Sequence, residues 1–468
     1  MLSTIIWKEI LEKVLSLRFF IAVLMCIILL PGVILLRTAE YTKKAHKVIK
    51  ETEANIDHIR NYPAERSYRI RGATLTLPLN ILGIFSEGCD ARDGTAVELV
   101  LWRDPNFQSK YSPNPFVDLL PAFDFALFVG LMMSLLALVF SYDAISGELE
   151  RGTLKLMLSG RLPRSTLLLA KWIGGLTVVT LPFLISFLIS LLIVILYPGT
   201  QMTPGHWIAV LLVFFISLVY IAAIFSFGLF ISCITSRAAT SIALLLLFWV
   251  GLCWIIPNYG RWVVTKIIRL PTVTAIEREK FTARREAEEW GWKTYQKYAE
   301  EHPEEVKTWY SAVVYRSSMV KGDERFAEAL DKIDANYQNL LNKQVSLGRV
   351  ICKASPFAVY TDAVTEITGT GIRERARLLQ AVRRYRHAFF DYAGQEYVEY
   401  SEKRWELMQR GIEERPEYYI GDFPIFSYQE SRLRDKMKSS FLDIMILSVW
   451  NVIFFIGAYA SFLRRSVA

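Results

Sequence analysis

The sequence predicts an α-helical polytopic membrane protein, with six transmembrane helices, a large, mainly helical extracytoplasmic domain and a small β-containing part. Three observations predict it. The chain is 53% hydrophobic with a mean hydropathy of +0.27, and its apolar residues fall into runs without any Asp, Glu, Lys or Arg. Lys and Arg gather in alternate short connections between those runs. Two long insertions carry apolar residues at mostly helical spacing.

The runs are Phe19–Leu36, Phe125–Tyr142, Trp172–Tyr197, Trp207–Ser236, Ala238–Gly260 and Ile444–Leu463. Each has the roughly 18 residues or more that a helix needs to cross an apolar layer of about 30 Å. Before the first, Thr4–Leu17 places Ile6, Ile10, Val14 and Leu17 on one stripe and Lys8, Glu9, Glu12 and Lys13 elsewhere. That pattern suits an interfacial helix lying in the membrane surface, or a plain extension of the first span. The first run reads as a span and not a cleavable signal: its N-region is long and polar, and no small-residue cleavage site follows.

Orientation follows from the short loops. Lys8, Lys13 and Arg18 precede the first run, five basic residues lie in 141–171, Arg237 follows the fourth run, and Arg464 and Arg465 follow the sixth. Pro198–His206 has no Lys or Arg. The positive-inside bias then puts both termini and the 141–171 loop in the cytoplasm of a multi-pass cytoplasmic-membrane protein. The division is 1–36 for the interfacial helix and first span, 37–118 for the first extracytoplasmic insertion, and 119–260 for spans two to five. Residues 261–440 form the second insertion, and 441–468 the last span and tail.

In the first insertion, Tyr41, Val48, Thr52, Ile56 and Ile59 continue the first helix beyond the bilayer until Pro63 stops it. Tyr68–Leu79 and Thr95–Trp102 then alternate like strands across a Gly-rich turn, Glu87–Gly94. In the second, Pro271 opens a charged helix that reaches His302–Pro303, and Asp323–Leu347 is helical and stops at Gly348. Ala354–Ile367 is a shorter element, and Arg373 to about Glu414 a long amphipathic helix.

The net charge of +8 in this setting reflects loop bias and not a nucleic-acid partner. Of five cysteines, Cys26, Cys233 and Cys253 lie in spans. Cys89 and Cys352 lie in the two insertions, where a disulfide between them is an expectation of an oxidising compartment. No spacing fits zinc, and no HExxH, GxSxG or phosphate loop is present. Asp124 and Asp443 stand at outer span ends, where solvated positions or an exit mouth suit them. Pro182 can kink the third span, and Trp172, Trp207, Trp254 and Trp262 suit interfacial belts.

Ser141–Lys171 is the one sizeable polar loop on the inner face. A loop that only reverses direction needs about four residues, so this one is expected to dock something. Gly147 and Gly152 allow turns, and Glu148 and Glu150 suit charge-assisted pairing with a partner's basic groups. Asp143, Ser146, Glu148 or Glu150, Gly152, Thr153, Leu154, Pro163, Arg164 and Lys171 resemble the pattern of ABC-2 type ABC transporter permeases. There the order is D-x-x-S-x-E-x-x-x-G-T-L, a helix, P-x-x-R and a K opening the next span; here the Arg follows Pro163 directly. Ser355–Gly371 further resembles the subset with large external insertions.

The resemblance implies a permease half of the type V exporter fold, its 141–171 loop, Arg151 included, serving as a coupling helix. Two separate ABC ATPase subunits would carry ATP and Mg, this chain binding no cofactor itself. A second permease subunit, identical or homologous, would complete a dimer in membrane lipid. The absence of mid-span charges argues for outside power and against ion coupling. The expected function is ATP-driven export or membrane extraction. Mechanotransmission to an envelope partner, without transport, is the alternative; a membrane hydrolase lacks the necessary clustered Glu and His.

Overall fold

A computed structural model describes residues 2–60, 73–91, 96–99, 105–107, 123–159, 163–307, 310–412 and 423–465. Helix α1 (Leu2–Val14) is separated by a turn from α2 (Leu17–Arg60). The turn is closed by Ser16, whose Oγ donates to Lys13 O and accepts from Phe19 N. So α1 is a helix of its own and not the start of the first span. Its outward stripe, Trp7, Leu11 and Leu15, continues the exposed apolar face of α2 at Leu17, Phe20 and Leu24.

The remaining spans are α3 (residues 125–141, with a π-turn at Phe128–Met133), α6 (Arg164–Leu196), α7 (Pro204–Ile234) and α8 (Ala238–Ile267, with a π-turn at Gly251–Ile255). Helices α4 (Ser146–Glu150) and α5 (Thr153–Ser159) form the connection from α3 to α6. The insertion helices are α9 (Val273–Glu301), α10 (Tyr310–Cys352), α11 (Pro356–Thr368) and α12 (Ile372–Gln409), and α13 (Leu433–Arg464) ends the bundle. Six of these helices are long and apolar enough to cross a membrane. α7 is the hub: it packs against α13, α3, α6 and α11, and most of its residues from Ile216 to Cys233 are buried. Gly228 makes one of these approaches possible, since a Cβ there would meet Ser141 Oγ at 1.8 Å. Pro182 lies inside an unbroken α6.

Three predictions about the insertions need correction. The strands are present, β1 (Ala73–Thr76) and β2 (Ala96–Leu99) pairing antiparallel with Ala73 opposite Leu99, and β3 (Asn106–Phe107) beside β2. They are not joined by a simple turn. Ile81, Leu82, Ile84 and Phe85 leave the sheet in a 3₁₀ turn and bury in the core of the bundle, because that apolar run finds its cover there. Helix α10 runs through Gly348 and ends at Cys352. Packing on α8, including Gln344 Nε2 donating to Ile268 O, outweighs the roughly 1 kcal/mol that an interior glycine costs. The actual stop is Ser355-Pro356, which caps and opens α11.

The third correction is the position of α11. It is not an external element: Val359, Tyr360, Ala363, Val364 and Ile367 are buried in the core formed by the spans. Tyr360 stacks on Tyr220, midway along α7, with ring centroids 4.6 Å apart. The second insertion therefore re-enters the bundle. The helix stop at Pro63, Arg161, and residues 68–72, 95 and 100–102 of the predicted strands lie outside the described residues; β1 ends at Thr76, before the predicted Leu79, and α12 ends at Gln409, before the predicted Glu414, with Gly411 at φ +71° just beyond it.

Candidate functional site

The 141–171 loop lies at the end of the bundle that also holds α1 and the C-terminal turn of α13, opposite the insertions. Gly152, with φ +75°, makes the tight turn from α4 to α5. Gly147 makes no turn; it lies inside α4, where a Cβ would come within 3.1 Å of Asp143 Cβ.

Almost every polar residue singled out in this loop is engaged within the chain. Lys171 is 2% exposed, and its Nζ donates to Glu9 Oε1 at 2.8 Å and Glu148 Oε1 at 2.5 Å. One ammonium thus joins α1, α4 and α6. Glu148 Oε2 is buried without a hydrogen-bond partner among the described residues. Asp143 pairs with Arg18 at 2.8 Å, at the start of α2, and Arg18 lies over the Tyr142 ring. Ser146 is buried against Ser232 of α7, whose Oγ accepts from Ile145 N and Ser146 N. Glu150 Oε2 accepts from Ala238 N, placing a carboxylate on the N-terminus of α8. Arg164 donates to the carbonyls of Phe462, Leu463 and Arg465, closing the last turn of α13.

The two carboxylates expected to meet a partner are therefore not equivalent: Glu148 is taken up by Lys171, whereas Glu150 stays exposed while it accepts from Ala238 N. A carboxylate next to a buried lysine or an open helix N-terminus is held there, because leaving either uncompensated is costly. The loop leaves exposed, among others, Glu150, Arg151, Gly152, Thr153, Lys155, Ser159 and Pro163, together with Leu156, which is 78% exposed. Leu154, two residues earlier and so on the opposite face, is fully buried with Ile145, Leu167, Leu168 and Phe462, so α5 is pinned on one side and open on the other.

Sequence reasoning missed four contributors. Glu9, off the apolar stripe of α1, is the second carboxylate on Lys171. Lys13 Nζ donates to Phe140 O at 2.9 Å. Gly174 lets α1 lie against α6, since a Cβ there would meet Glu9 Cβ at 3.0 Å, and Gly175 makes room for Phe225 of α7 and Lys13 of α1, whose ring and Nζ a Cβ would meet at 2.3 and 2.9 Å. Their adjacency in an otherwise bulky apolar run was the available signal. Ser232 is the fourth. Between α1, the end of α3 and α4 lies a polar cleft of ≈ 270 Å³ lined by Glu12, Lys13, Ser16, Arg18, Asp143 and Arg151 among others.

At the opposite end, the two aspartates expected at solvated span ends or at an exit mouth are buried. Asp124 caps α3 by accepting from Leu127 N and also accepts from Glu87 N. Burial pushes its carboxyl up to about 6. Asp443 pairs with Lys353 at 3.2 Å and lies 3.9 Å from Arg349. The expected disulfide is not formed: Cys89 and Cys352 are both thiols. Cys352 Sγ faces Pro257 O at 3.8 Å, and Cys89 N donates to Thr370 O. Trp172 is no simple belt residue, because its Nε1 donates to Ser226 Oγ inside the bundle.

Among the described residues, no group of His, Cys, Asp and Glu is placed to hold a metal. Residues 3–467 match the profile of the family described as ABC-2 family transporter protein. Over 77 residues the chain is 40% identical to a probable ABC transporter permease protein NosY of Stutzerimonas stutzeri. That stretch is 16% of this chain and spans 28% of the relative's length.

Proposed function

The chain belongs to the ABC-2 family of transporter proteins and is a multi-pass permease component of an ABC transporter, and from that premise we propose that the 141–171 loop is its drive shaft. Two separate ABC ATPase subunits, holding ATP and Mg, dock on the exposed face of α5. A second permease subunit, identical or homologous, packs beside this one in the cytoplasmic membrane, both termini inside. ATP closes the ATPases and pushes α5. Because Lys171 binds α4, α1 and α6 together, the push moves the interfacial helix and the third span as one piece. The permease halves then part toward the outside, in the manner of a type V exporter, releasing a substrate across or out of the membrane.

The observation that carries this reading is the buried Glu9–Lys171–Glu148 group beneath an exposed Leu156. A helix that merely reversed the chain needs neither. The docking contacts fall on Arg151, Lys155 and Leu156, while Asp143, Ser146, Glu148, Glu150, Arg164 and Lys171 hold the loop's shape. Lys155→Glu with Leu156→Asp should abolish copurification of the ATPase and lower stimulated turnover at least about tenfold, the loss of roughly 1.4 kcal/mol of contact. The variant should elute and melt like wild type. Retained capture by that variant sinks the docking assignment.

A second reading, mechanotransmission without transport, is favoured by one observation. The insertion helix α10 reaches the re-entrant α11 through Arg349, which pairs with Asp362 and Glu366. Span movement would thereby reach the outer helices. A sealed, dry interface between permease halves in every nucleotide state supports this reading; a continuous cavity there supports transport.

A further inference from the structure

The two π-turns, in α3 and α8, each leave backbone groups without their usual α-helical partners, and α11 lies against both. In α8, Ile256 N donates to Gly251 O, five residues back. Leu252 O thereby loses the donor four residues on, and the residue after that is Pro257, which has no N–H. The hydroxyl of Ser355, the N-cap of α11, donates to Leu252 O instead. In α3, Ser134 N turns to Leu131 O, and Gly130 O takes hydrogen bonds from Ser134 Oγ and from Tyr220 OH at 2.9 Å.

That Tyr220 ring is the one stacked on Tyr360 of α11, and Tyr360 OH meets Ser217 Oγ at 3.1 Å. Gly130 is in direct contact with α11 as well: a Cβ there would come within 2.5 Å of the Phe357 ring. One turn of α11, Ser355 to Tyr360, thus supports both π-turns. Its other end is tied outward. Thr368 O accepts from Asn80 Nδ2, Ala363 O from Ser440 Oγ, and Asp362 and Glu366 pair with Arg349.

We propose that α11 is a brace on two hinges: while it is seated, the π-turns of the second and fifth spans are fixed, and they bend only when it moves with the insertion helices. π-turns are places where a helix can bend because its hydrogen-bond ladder is already interrupted. Supplying the missing donors from a third element stiffens them. Ser355, Phe357 and Tyr360 are positioning residues in this scheme, and none needs to touch a substrate. The nucleotide arm of the test rests on the permease reading; the resting arm does not.

Hydrogen exchange measured by mass spectrometry on the full chain in nanodiscs, with and without its copurified ATPase, tests it. Ser355→Gly remains acceptable at a helix N-cap and removes the hydroxyl donor. It should speed exchange in peptides covering 251–257 about fivefold, as expected for one lost hydrogen bond. Ser355→Thr should restore wild-type protection. With ATP and vanadate, wild-type peptides covering 128–134, 251–257 and 355–361 should gain uptake together.

Unchanged exchange at 251–257 in a folded Ser355→Gly protein overturns the brace. So does opening of the π-turns while 355–361 keeps its protection, and so does nucleotide binding that moves none of the three segments. Failure of the permease reading would appear separately, as no ATPase in the preparation.

Discussion

Replacing Lys171 with methionine should destabilise the protein by about 3–5 kcal/mol, the usual cost of stranding buried charges. Glu9 and Glu148 would both lose the ammonium that compensates them. Glu9→Gln should cost less, since Lys171 and Glu148 remain a pair; thermal melts in detergent would rank the two. Asp124 gives a pH signature. Its carboxyl titrates near 6 in the fold and at 3.8 as an ordinary aspartate, because burial disfavours the charge more than Leu127 N and Glu87 N favour it. A raised carboxyl makes the native state bind the extra proton, so its stability falls as pH rises between 3.8 and about 6. Lowering pH from about 7 to 5 should therefore raise the wild-type melting temperature relative to Asp124→Asn, at about 1.4 kcal/mol per pKa unit. A pH-independent difference between the two proteins would count against this placement of Asp124.

At the scale of elements, periodicity located the helices better than punctuation ended them. Glycine shows why. Gly348 reads as a stop and lies inside α10, where a Cβ would make an ordinary 3.9 Å contact with Val264. Gly348→Ala should therefore stabilise by about 0.5–1 kcal/mol, visible as a higher melting temperature. A loss of stability would mean the helix does break there. Gly322, by contrast, sits where α10 crosses α9, and a Cβ would come within 3.0 Å of Ala287 O. The same residue type ends nothing in either place; the neighbour across the interface decides whether it is needed. The sheet behaves likewise. Alternation found β1 and β2, yet the apolar segment between them went to the bundle, which no local pattern records.

For the molecule as a whole, two clusters of buried charged groups lie at the two ends of the span bundle. One ties α1, α4, α6, α7 and α13 at the loop end, and the other ties α10, α11 and α13 at the insertion end. Between them the core is mostly apolar and centred on α7, with hydroxyls such as those of Ser217, Tyr220 and Ser226 hydrogen-bonded inside it. A push on one cluster is carried to the other by rigid helices and not by a chain of charges. The topology makes a direct prediction. In inside-closed vesicles, a maleimide that cannot cross the membrane should label Trp292→Cys of α9 and not Leu156→Cys of α5. The reverse pattern would invert the protein and remove the ATPase from its loop.

The sequence by itself determined the six spans, the side on which the short loops gather their positive charge, the helical character of the second insertion and the family pattern in 141–171. These follow from composition and period, which act within a few turns of chain. Only the tertiary structure decided what the pattern's residues do. Glu148 looks like bait for a partner until Lys171 is seen to hold it, and Glu150 is found, still exposed, on Ala238 N. α11 looks like a surface helix until Tyr220 and Leu252 are seen to receive it. The reason is physical: a buried charge or an interrupted helix must find its complement somewhere, and the complements here lie about 20 to 160 residues away along the chain. Local sequence states the need, and packing alone names the partner.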